Sequence, residues 1–334
     1  MNGASRLSIG LPVYNGEKYL AESLDSLLGQ TFEDFELIIS DNASTDSTGD
    51  ICQRYAKQDS RIRYIRQPRN IGLAANHNFV IGQARGDLFK WAADDDLCAR
   101  DLVRDCVDAL DEYPRVVLTH SKTAMIDGAG AVIRLYDYRV AVNSAHAPER
   151  FRSMLFDGWD DYSYGVVRTG VLRQTPLLGS YHFADRTIVT EIGLHGPFYQ
   201  VPDWLHFRRE HADRPPWVTV RHRCATMDPR RASRLRHPVA RLYAEYAWSY
   251  ISMIRRAPLT PAERQQCYRH LARWAAGRAL PVASRSLPGR DRGMLYHFPE
   301  ESSEDGPQAR QLAVGALPVI SVDAVVAGRE GKPS

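Results

Sequence analysis

The sequence lacks several features that mark particular classes of protein. Its five cysteines form no CxxC pair and are odd in number, which argues against a disulfide framework or a structural zinc site and favours a reducing compartment. No apolar run approaches the ~20 residues that cross a bilayer, and no apolar leader follows the first basic residues. The net charge of +3 is too small to indicate a nucleic-acid partner. We therefore expect a cytoplasmic protein, with contact to the inner face of a membrane left open.

Glycine-rich phosphate loops are also missing. No GxGxxG pattern follows the first strand-like run, which argues against a dinucleotide-dependent dehydrogenase. A sugar-1-phosphate nucleotidyltransferase would need a glycine-rich loop with Arg or Lys at the same place, and residues 10–16 do not supply one. That class stays an alternative because it shares an alternating sheet and an acidic metal site.

The first third of the chain alternates short apolar runs with amphipathic stretches. The strand-like runs are Leu7–Val13, Phe35–Ser40, Ile62–Arg66 and Leu88–Ala93, and the helix-like runs are Tyr19–Leu28, Thr48–Lys57, Ala74–Ala84 and Asp101–Glu112. This alternation predicts an α/β fold with a doubly wound, mostly parallel sheet and helices on both faces. Ligands of such sheets bind beyond the carboxyl ends of the strands, so we look for the site where these runs end.

The rest of the chain is less regular. Strand-like segments occur at Val116–His120 and Val132–Tyr136, and helical spacing occurs at Pro238–Arg256 and Pro261–Ala279. Residues 285–334 are rich in Gly, Pro, Ser and charge, which is typical of a poorly ordered tail. The arginines from Arg221 to Arg241 fit either contact with an anionic membrane or a solvated face.

Three carboxylates, Asp94, Asp95 and Asp96, follow the fourth strand-like run. Adjacent carboxylates repel one another at neutral pH, and a divalent cation that also carries phosphate oxygens relieves that repulsion. Taken alone, the same residues would also suit an acidic turn that caps a helix. A metal site and an acidic turn are both open on this evidence.

The earlier strand ends carry polar residues as well. The turn after the first run exposes backbone groups that could bind a base or ribose, and Tyr14 offers a ring for stacking, although an Asn-Gly turn is the simpler interpretation. Asp41 ends the second run, where its carboxylate could accept the imide N–H of uracil or thymine. Thr45 and Asp46, just beyond it, suit a helix cap.

In order and spacing, these strand ends resemble the inverting, GT-A-fold nucleotide-sugar glycosyltransferases of family 2. That family carries P-x-Y-N, I-I-x-D-D-G-S-T-D, N-x-G with a following Asn, and G-D-x-x-x-x-x-D-x-D-D. The matching segments here are Pro12–Asn15, Ile38–Asp46, Asn70–Gly72 with Asn76, and Gly86–Asp87 leading to Asp94–Asp96.

The resemblance implies a metal-dependent, inverting transfer of a sugar from a UDP or dTDP sugar to the hydroxyl of a saccharide or lipid-linked acceptor. Cell-surface polysaccharide or glycoconjugate synthesis is the implied setting. The implied donor-binding residues are Pro12, Val13, Tyr14, Asn15, Glu17, Asp41, Asn70, Gly72, Asn76, Asp94 and Arg208. Mn²⁺ or Mg²⁺ would bind Asp95, then Asp96, with His211 as a further contact. A literal D-x-D register would instead use Asp94 and Asp96.

An inverting transfer needs a base that takes the proton of the acceptor hydroxyl. Residues Phe183–Gly196 are similar to the family's E-D-x-D-L-x-x-R-x-x-x-x-G segment, which makes Asp185 the implied base. Ala184 and Glu191 depart from the family's Glu and Arg, and Glu191 is the second candidate. An Asp at this place also serves as a helix cap, so a non-catalytic sugar-nucleotide-binding or scaffold protein of the same fold stays an alternative.

The resemblance also implies a division of the chain. Residues 1–115 would form the nucleotide-sugar-binding half of one GT-A domain, and residues 116–220 would form its acceptor-binding and catalytic half. Residues 221–284 would then be a C-terminal helical extension, followed by the tail 285–334.

Overall fold

The computed structural model describes residues 5–136, 141–156, 162–211 and 219–279. Its strands are β1 Leu7–Val13, β2 Phe35–Asp41, β3 Ile62–Arg66, β4 Leu88–Trp91, β5 Leu97–Cys98, β6 Leu118–Ile126, β7 Val132–Tyr136, β8 Val166–Arg168 and β9 Phe198–Arg209. Its α-helices are α1 Leu20–Leu28, α2 Thr48–Gln58, α3 Leu73–Gln83, α4 Leu102–Glu112, α5 Ala147–Phe156, α6 Thr169–Leu172, α7 Ala184–His195, α8 Val220–Met227, α9 Val239–Arg256 and α10 Pro261–Ala279.

The first four strands form a parallel sheet in the order β3-β2-β1-β4. Every residue of β1 and β2 is buried, as expected for central strands covered by helices on both faces. The α/β fold class and the strand–helix alternation are thereby confirmed. The carboxyl ends of these strands lie at one edge of the sheet, where the polar motifs follow them.

The sheet continues beyond β4 in the order β8-β6-β9-β5, with β7 paired to β6. Strand β8 is antiparallel to both β4 and β6, so the parallel arrangement holds within β3-β2-β1-β4 and mixed pairing begins at β8. The short β5 pairs with β9, Leu97 opposite Phe207. This pairing brings the residues just after Asp94–Asp96 onto the strand that leads to His211.

The C-terminal helices α9 and α10 pack on α5 and α7. Their apolar residues join Phe151 in a cluster that contains Tyr246, Tyr250 and Trp274. The two predicted C-terminal helices are thus present, while the domain boundaries at 115, 220 and 284 stay predictions and the tail 285–334 lies outside the described residues. None of the described helices is long and apolar enough to span a bilayer.

Candidate functional site

Hydrogen bonds cross-link the loops after β1 and β2. The backbone N–H of Asn15 donates to Ser44 Oγ (3.0 Å), and Asn15 Oδ1 accepts from the N–H of Thr45 (2.9 Å). The carboxylate of Glu17 accepts from the N–H of Ser47 (2.8 Å). Asn15 and Glu17, both predicted to bind the donor, therefore also fix the shape of the two loops that would contact it.

Both loops contain a residue in the left-handed backbone region. Asn15 has φ of 54°, and Ala43 has φ of 61° at the position where the family motif has Gly. A residue with a Cβ is disfavoured in this conformation, and such strain persists where surrounding contacts impose it. Between the loops, Pro12 and Val13 are buried at the end of β1, whereas the side chain of Tyr14 is 47% exposed. Tyr14 is thus available for stacking on a ligand.

Asp41 lies at the end of β2 and is fully buried. Its carboxylate accepts hydrogen bonds from the N–H of Ser44 (2.8 Å), the hydroxyl of Tyr64 (2.9 Å) and a guanidinium N–H of Arg66 (2.8 Å). Burial, and then the bond to Asp41, raise the pKa of Tyr64 to about 12. Tyr64 and Arg66 were missed at the sequence level, although Arg66 ends β3 as Asp41 ends β2, and the register pairs them.

The loop after β3 closes on the same edge. Asn70 Oδ1 accepts from the side-chain amide of Asn42 (3.1 Å) and from the N–H of Gly72 (2.9 Å), which has φ of 90°. Asn76, in contrast, is 2% exposed. Its side chain donates to the carbonyl of Ser40 (2.9 Å) and accepts from the hydroxyl of Ser40 (2.6 Å). Asn76 therefore ties α3 to β2 inside the fold, and we do not retain it as a donor contact.

The first carboxylate of the acidic run faces the two donor loops. A Cβ added at Gly16 would overlap Oδ2 of Asp94, so the Asp94 carboxylate packs directly against the loop after β1. Burial, followed by the charges of Asp41 and Asp94, raises the pKa of the Cys52 thiol to about 12. Both carboxylates thus act electrostatically on the same thiol, and the register that directs Asp94 to the ribose side stays a prediction.

Asp95 and His211 form a pair at the open side of the acidic loop. Asp95 Oδ2 lies 3.3 Å from His211 Nε2, and the two side chains are 16% and 13% exposed. Adjacent ligands of an octahedral ion at 2.0–2.1 Å are about 3 Å apart, so this oxygen and nitrogen fit a shared Mg²⁺ or Mn²⁺. Among the described residues, no three His, Cys, Asp or Glu side chains gather as a ligand set. The remaining ligands would be phosphate oxygens and water, as is usual for Mg²⁺.

Asp96 occupies a different environment. It is 5% exposed, and its Oδ1 accepts from the backbone N–H of Arg209 (2.9 Å) while Oδ2 lies 3.4 Å from His206 Nε2. These contacts anchor the loop to β9. We therefore do not retain Asp96 as a proposed metal ligand.

Arg209 is the buried support of the Asp95–His211 pair. It is 1% exposed, and its guanidinium donates to the carbonyl oxygens of Asp95 (2.9 Å) and Gly128 (3.1 Å) and to the carboxylate of Glu22 (2.6 Å). Among the predicted donor-binding residues, the arginine named is its neighbour Arg208. Because side chains alternate along a strand, Arg208 lies on the opposite face of β9, and a diphosphate contact from it stays a prediction.

Asp185 lies in the first turn of α7. Its Oδ1 accepts from the N–H of Arg186 (3.0 Å), and its Oδ2 accepts from the guanidinium of Arg223 (3.0 Å). Burial lowers the pKa of His77 to about 4, with the charge of Asp185 acting in the opposite direction. The carbonyl of His77 in turn accepts from the indole N–H of Trp91, the last residue of β4 (3.4 Å). Asp185 thus acts electrostatically on α3, which is bonded to the end of β4 through His77.

Glu191 points elsewhere. It is 3% exposed and forms a two-bond ion pair with Arg256 of α9 (3.0 Å for both bonds). Burial raises the pKa of this carboxyl, and Arg256 opposes the shift. Six residues along a helix correspond to a rise of about 9 Å, so Glu191 lies well away from Asp185. We do not retain it as a candidate base.

Comparison with protein families finds one domain in the first half of the chain. The model of the family described as "Glycosyl transferase family 2" matches residues 8–152. Curated relatives include glycosyltransferases GlyA and GlyG of Streptococcus pneumoniae, which are 34% and 32% identical over 32% of this chain. Chondroitin synthase of Escherichia coli is 29% identical over 46% of this chain and 23% of its own length. The chain spans only 15% of GlyA and 35% of GlyG.

Solved structures extend the likeness over most of the described fold. The structure of S. aureus TarS residues 1–349 in complex with UDP matches with a TM-score of 0.59 and 19% identity. The match covers 81% of this chain and 70% of the TarS chain. At this level of identity the comparison shows a shared fold.

Proposed function

We propose, on the premise that residues 8–152 belong to glycosyl transferase family 2, that this protein is a metal-dependent glycosyltransferase. It transfers a sugar from a nucleoside diphosphate sugar to a hydroxyl acceptor with inversion. The observation that carries the proposal is the Asp95–His211 pair, 3.3 Å apart, where the acidic loop meets the end of β9. Asp94, beside the same pair, faces the loops after β1 and β2.

The donor lies across the carboxyl ends of the parallel strands. Tyr14 stacks on the base, and Asp94 meets the ribose. Asp95 and His211 hold Mn²⁺ or Mg²⁺. When bound, the ion acts as a Lewis acid that stabilises negative charge on the departing diphosphate.

Asp185 serves as the base. Its carboxylate takes the proton of the acceptor hydroxyl while the acceptor oxygen forms a bond to the anomeric carbon. The bond from that carbon to the phosphate oxygen breaks, and the nucleoside diphosphate leaves with the electron pair. A carboxylate has about four lone-pair positions, and two hydrogen bonds occupy part of them, so Asp185 keeps capacity for the hydroxyl.

A uridine nucleotide and a polysaccharide or glycoconjugate acceptor are the substrates we propose. TarS, which shares the fold, was solved with UDP and with UDP-GlcNAc. Chondroitin synthase is among the curated relatives. Asp41 is fully buried and bonded to Tyr64 and Arg66, so we do not retain it as a contact to the base.

Donor binding is tested by calorimetry with UDP, GDP, CDP and dTDP, each with and without Mn²⁺. Turnover is tested by the release of nucleoside diphosphate from the corresponding nucleoside diphosphate sugars. We expect Asp95→Asn to abolish the Mn²⁺-dependent part of binding. Asp185→Asn should lower turnover at least ~100-fold while leaving binding intact. Asp108→Asn, an exposed helix position, is the matched control. Binding without turnover in the wild type would indicate the non-catalytic alternative, and unaltered binding by Asp95→Asn would refute the metal assignment.

We further propose that the turn between α8 and α9 contacts an anionic membrane. Leu235 is 96% exposed at this turn, and Trp248 on α9 is 55% exposed. Arg230, Arg234 and Arg236 around the turn are exposed as well. Exposed apolar residues among arginines suit the interface of an anionic bilayer, where a lipid-linked acceptor would be presented.

Co-sedimentation with vesicles tests this contact. The protein should bind vesicles that contain phosphatidylglycerol and not vesicles of phosphatidylcholine alone. The double variant Arg234→Gln/Arg236→Gln should lose at least half of the fraction bound to these vesicles. The control Arg85→Gln/Arg100→Gln removes the same charge from exposed positions elsewhere and should keep the bound fraction unchanged. Equal loss from both pairs would indicate only a general charge effect.

A further inference from the structure

Arg223 has contacts that the proposed mechanism leaves unexplained. Its guanidinium donates to Asp185 Oδ2 (3.0 Å), and its central carbon lies 5.0 Å from the ring centroid of Phe183. The Arg223 side chain is 12% exposed and that of Asp185 is 27% exposed. An ion pair on one side and an aromatic ring on the other fix the guanidinium in one orientation.

The backbone before Asp185 is held in an uncommon conformation. Phe183 has φ of 57°, the left-handed region that a bulky side chain rarely adopts. Its ring contacts the ring of His182 at 3.9 Å in addition to the guanidinium of Arg223. Burial, and then the charge of Arg223, lower the pKa of His182 to about 4. His182 is thus neutral near pH 7, and Arg223 supplies the positive charge at the start of α7.

Helix α8 carries Arg223 and is anchored on two sides. A Cβ added at Gly72, at the start of α3, would lie 2.5 Å from the carbonyl oxygen of Met227, so the two helices are in close contact there. On the other side, the guanidinium of Arg221 donates to the carbonyl of His237 (2.9 Å). Cys224 and Met227 are buried between these contacts. The position of Arg223 is therefore set by packing that does not involve Asp185.

From this geometry we infer that Arg223 is a positioning residue for the base. It holds one oxygen of Asp185 so that the carboxylate presents its remaining lone pairs to the acceptor hydroxyl. The inference rests on the proposed function of Asp185 and adds a residue from α8, outside the matched family domain, to the catalytic arrangement. Because Arg223 acts through Asp185, its removal should affect the chemical step and not the binding of the donor.

The test is a double-mutant cycle on kcat, measured as release of nucleoside diphosphate from the donor selected above. Arg223→Gln should lower kcat ~10- to 100-fold with the KM for donor unchanged. In the Asp185→Asn background the same substitution should cost less than 2-fold, because the group that it positions is already gone. Arg223→Lys keeps the charge and should recover part of the loss, while it lacks the planar group that stacks on Phe183.

Thr226→Ala is the control on the same helix, since Thr226 is exposed and its hydroxyl donates within the helix to the carbonyl of His222 (3.2 Å). It should leave kcat within 2-fold. Equal losses from Arg223→Gln in both backgrounds, or a raised KM for donor, would overturn the inference and indicate a structural or donor-binding role. An inactive wild-type protein would instead refute the proposed function, and so the two failures are distinguishable.

Discussion

Arg209→Met removes the buried guanidinium that supports the acidic loop. Arg209 is 1% exposed, and its two shorter backbone hydrogen bonds go to the carbonyls of Asp95 and Gly128 in separate loops, with a longer one to Asp127 (3.4 Å). It also pairs with Glu22, whose side chain is 57% exposed. Methionine fills much of the same volume and replaces none of these bonds. The substitution therefore isolates the polar contribution of Arg209.

The expected cost follows from these contacts. Two hydrogen bonds from a charged donor contribute about 1.5 kcal/mol each at the lower end of their range. The ion pair with Glu22 adds at most about 1 kcal/mol, because the carboxylate can return to water. We expect the free energy of unfolding to fall by about 3–4 kcal/mol. The Mn²⁺-dependent affinity for nucleotide should also fall ~10- to 100-fold, because Asp95 loses its support.

Urea denaturation measures the first quantity, and calorimetry with the preferred nucleoside diphosphate and Mn²⁺ measures the second. Arg208→Met is the matched control on the opposite face of β9 and should cost less than about 1 kcal/mol. Its effect on affinity also tests the predicted diphosphate contact of Arg208. A loss below 1 kcal/mol for Arg209→Met, together with unchanged affinity, would show that Arg209 does not support the site.

Three further predictions concern the fold around the site. Ala43→Gly should raise the free energy of unfolding by about 0.5 kcal/mol. Glycine adopts the left-handed conformation at φ of 61° without steric strain, but it also raises the conformational entropy of the unfolded chain, which offsets part of the gain. Asn76→Ala should lower it by about 2 kcal/mol, because the buried carbonyl of Ser40 loses its donor. Glu36 is buried, which would raise its pKa, but hydrogen bonds from Arg63 and Ser8 hold the pKa below its ordinary value. A lowered folded-state pKa gives stability that is present above the unfolded value of about 4.3 and lost as the pH falls through the folded value. Glu36→Gln should therefore flatten the acid loss of stability below about pH 4.3.

Denaturation with matched controls checks each of the three. Ala21→Gly, inside α1, should lower the free energy of unfolding by about 0.5–1 kcal/mol, whereas Ala43→Gly should raise it. A change of the same sign in both variants would contradict the explanation from backbone conformation. Asn143→Ala, at an exposed position, should be nearly neutral. Glu33→Gln, also at an exposed position, should leave the loss of stability below about pH 4.3 unchanged. If Glu36→Gln does not alter this loss of stability at low pH, then Glu36 makes no contribution to the pH dependence of folding.

Much of the parallel sheet could be predicted because its signal is local. The bounds of β1, β3 and α10 match the sequence-based prediction at both ends. At these ends the apolar run or the helical spacing of apolar residues gives way to polar residues within a few positions. The strand predicted at Val116–His120 instead runs from Leu118 to Ile126 and pairs with both β7 and β9. Strands β5 and β8 have only two and three residues, too few for a periodic pattern.

The sequence by itself determined where the proposed ligand-binding groups lie along the chain, at the ends of buried parallel strands, where the backbone leaves the sheet. It did not determine which of these groups the fold uses for its own contacts. Asp95 and Asp96 are neighbours in sequence, yet Asp95 faces His211 and Asp96 accepts from Arg209. That difference depends on β5 pairing with a strand about a hundred residues later in the chain. Long-range pairing of this kind has no local signal in the sequence, and so the tertiary structure alone decided it.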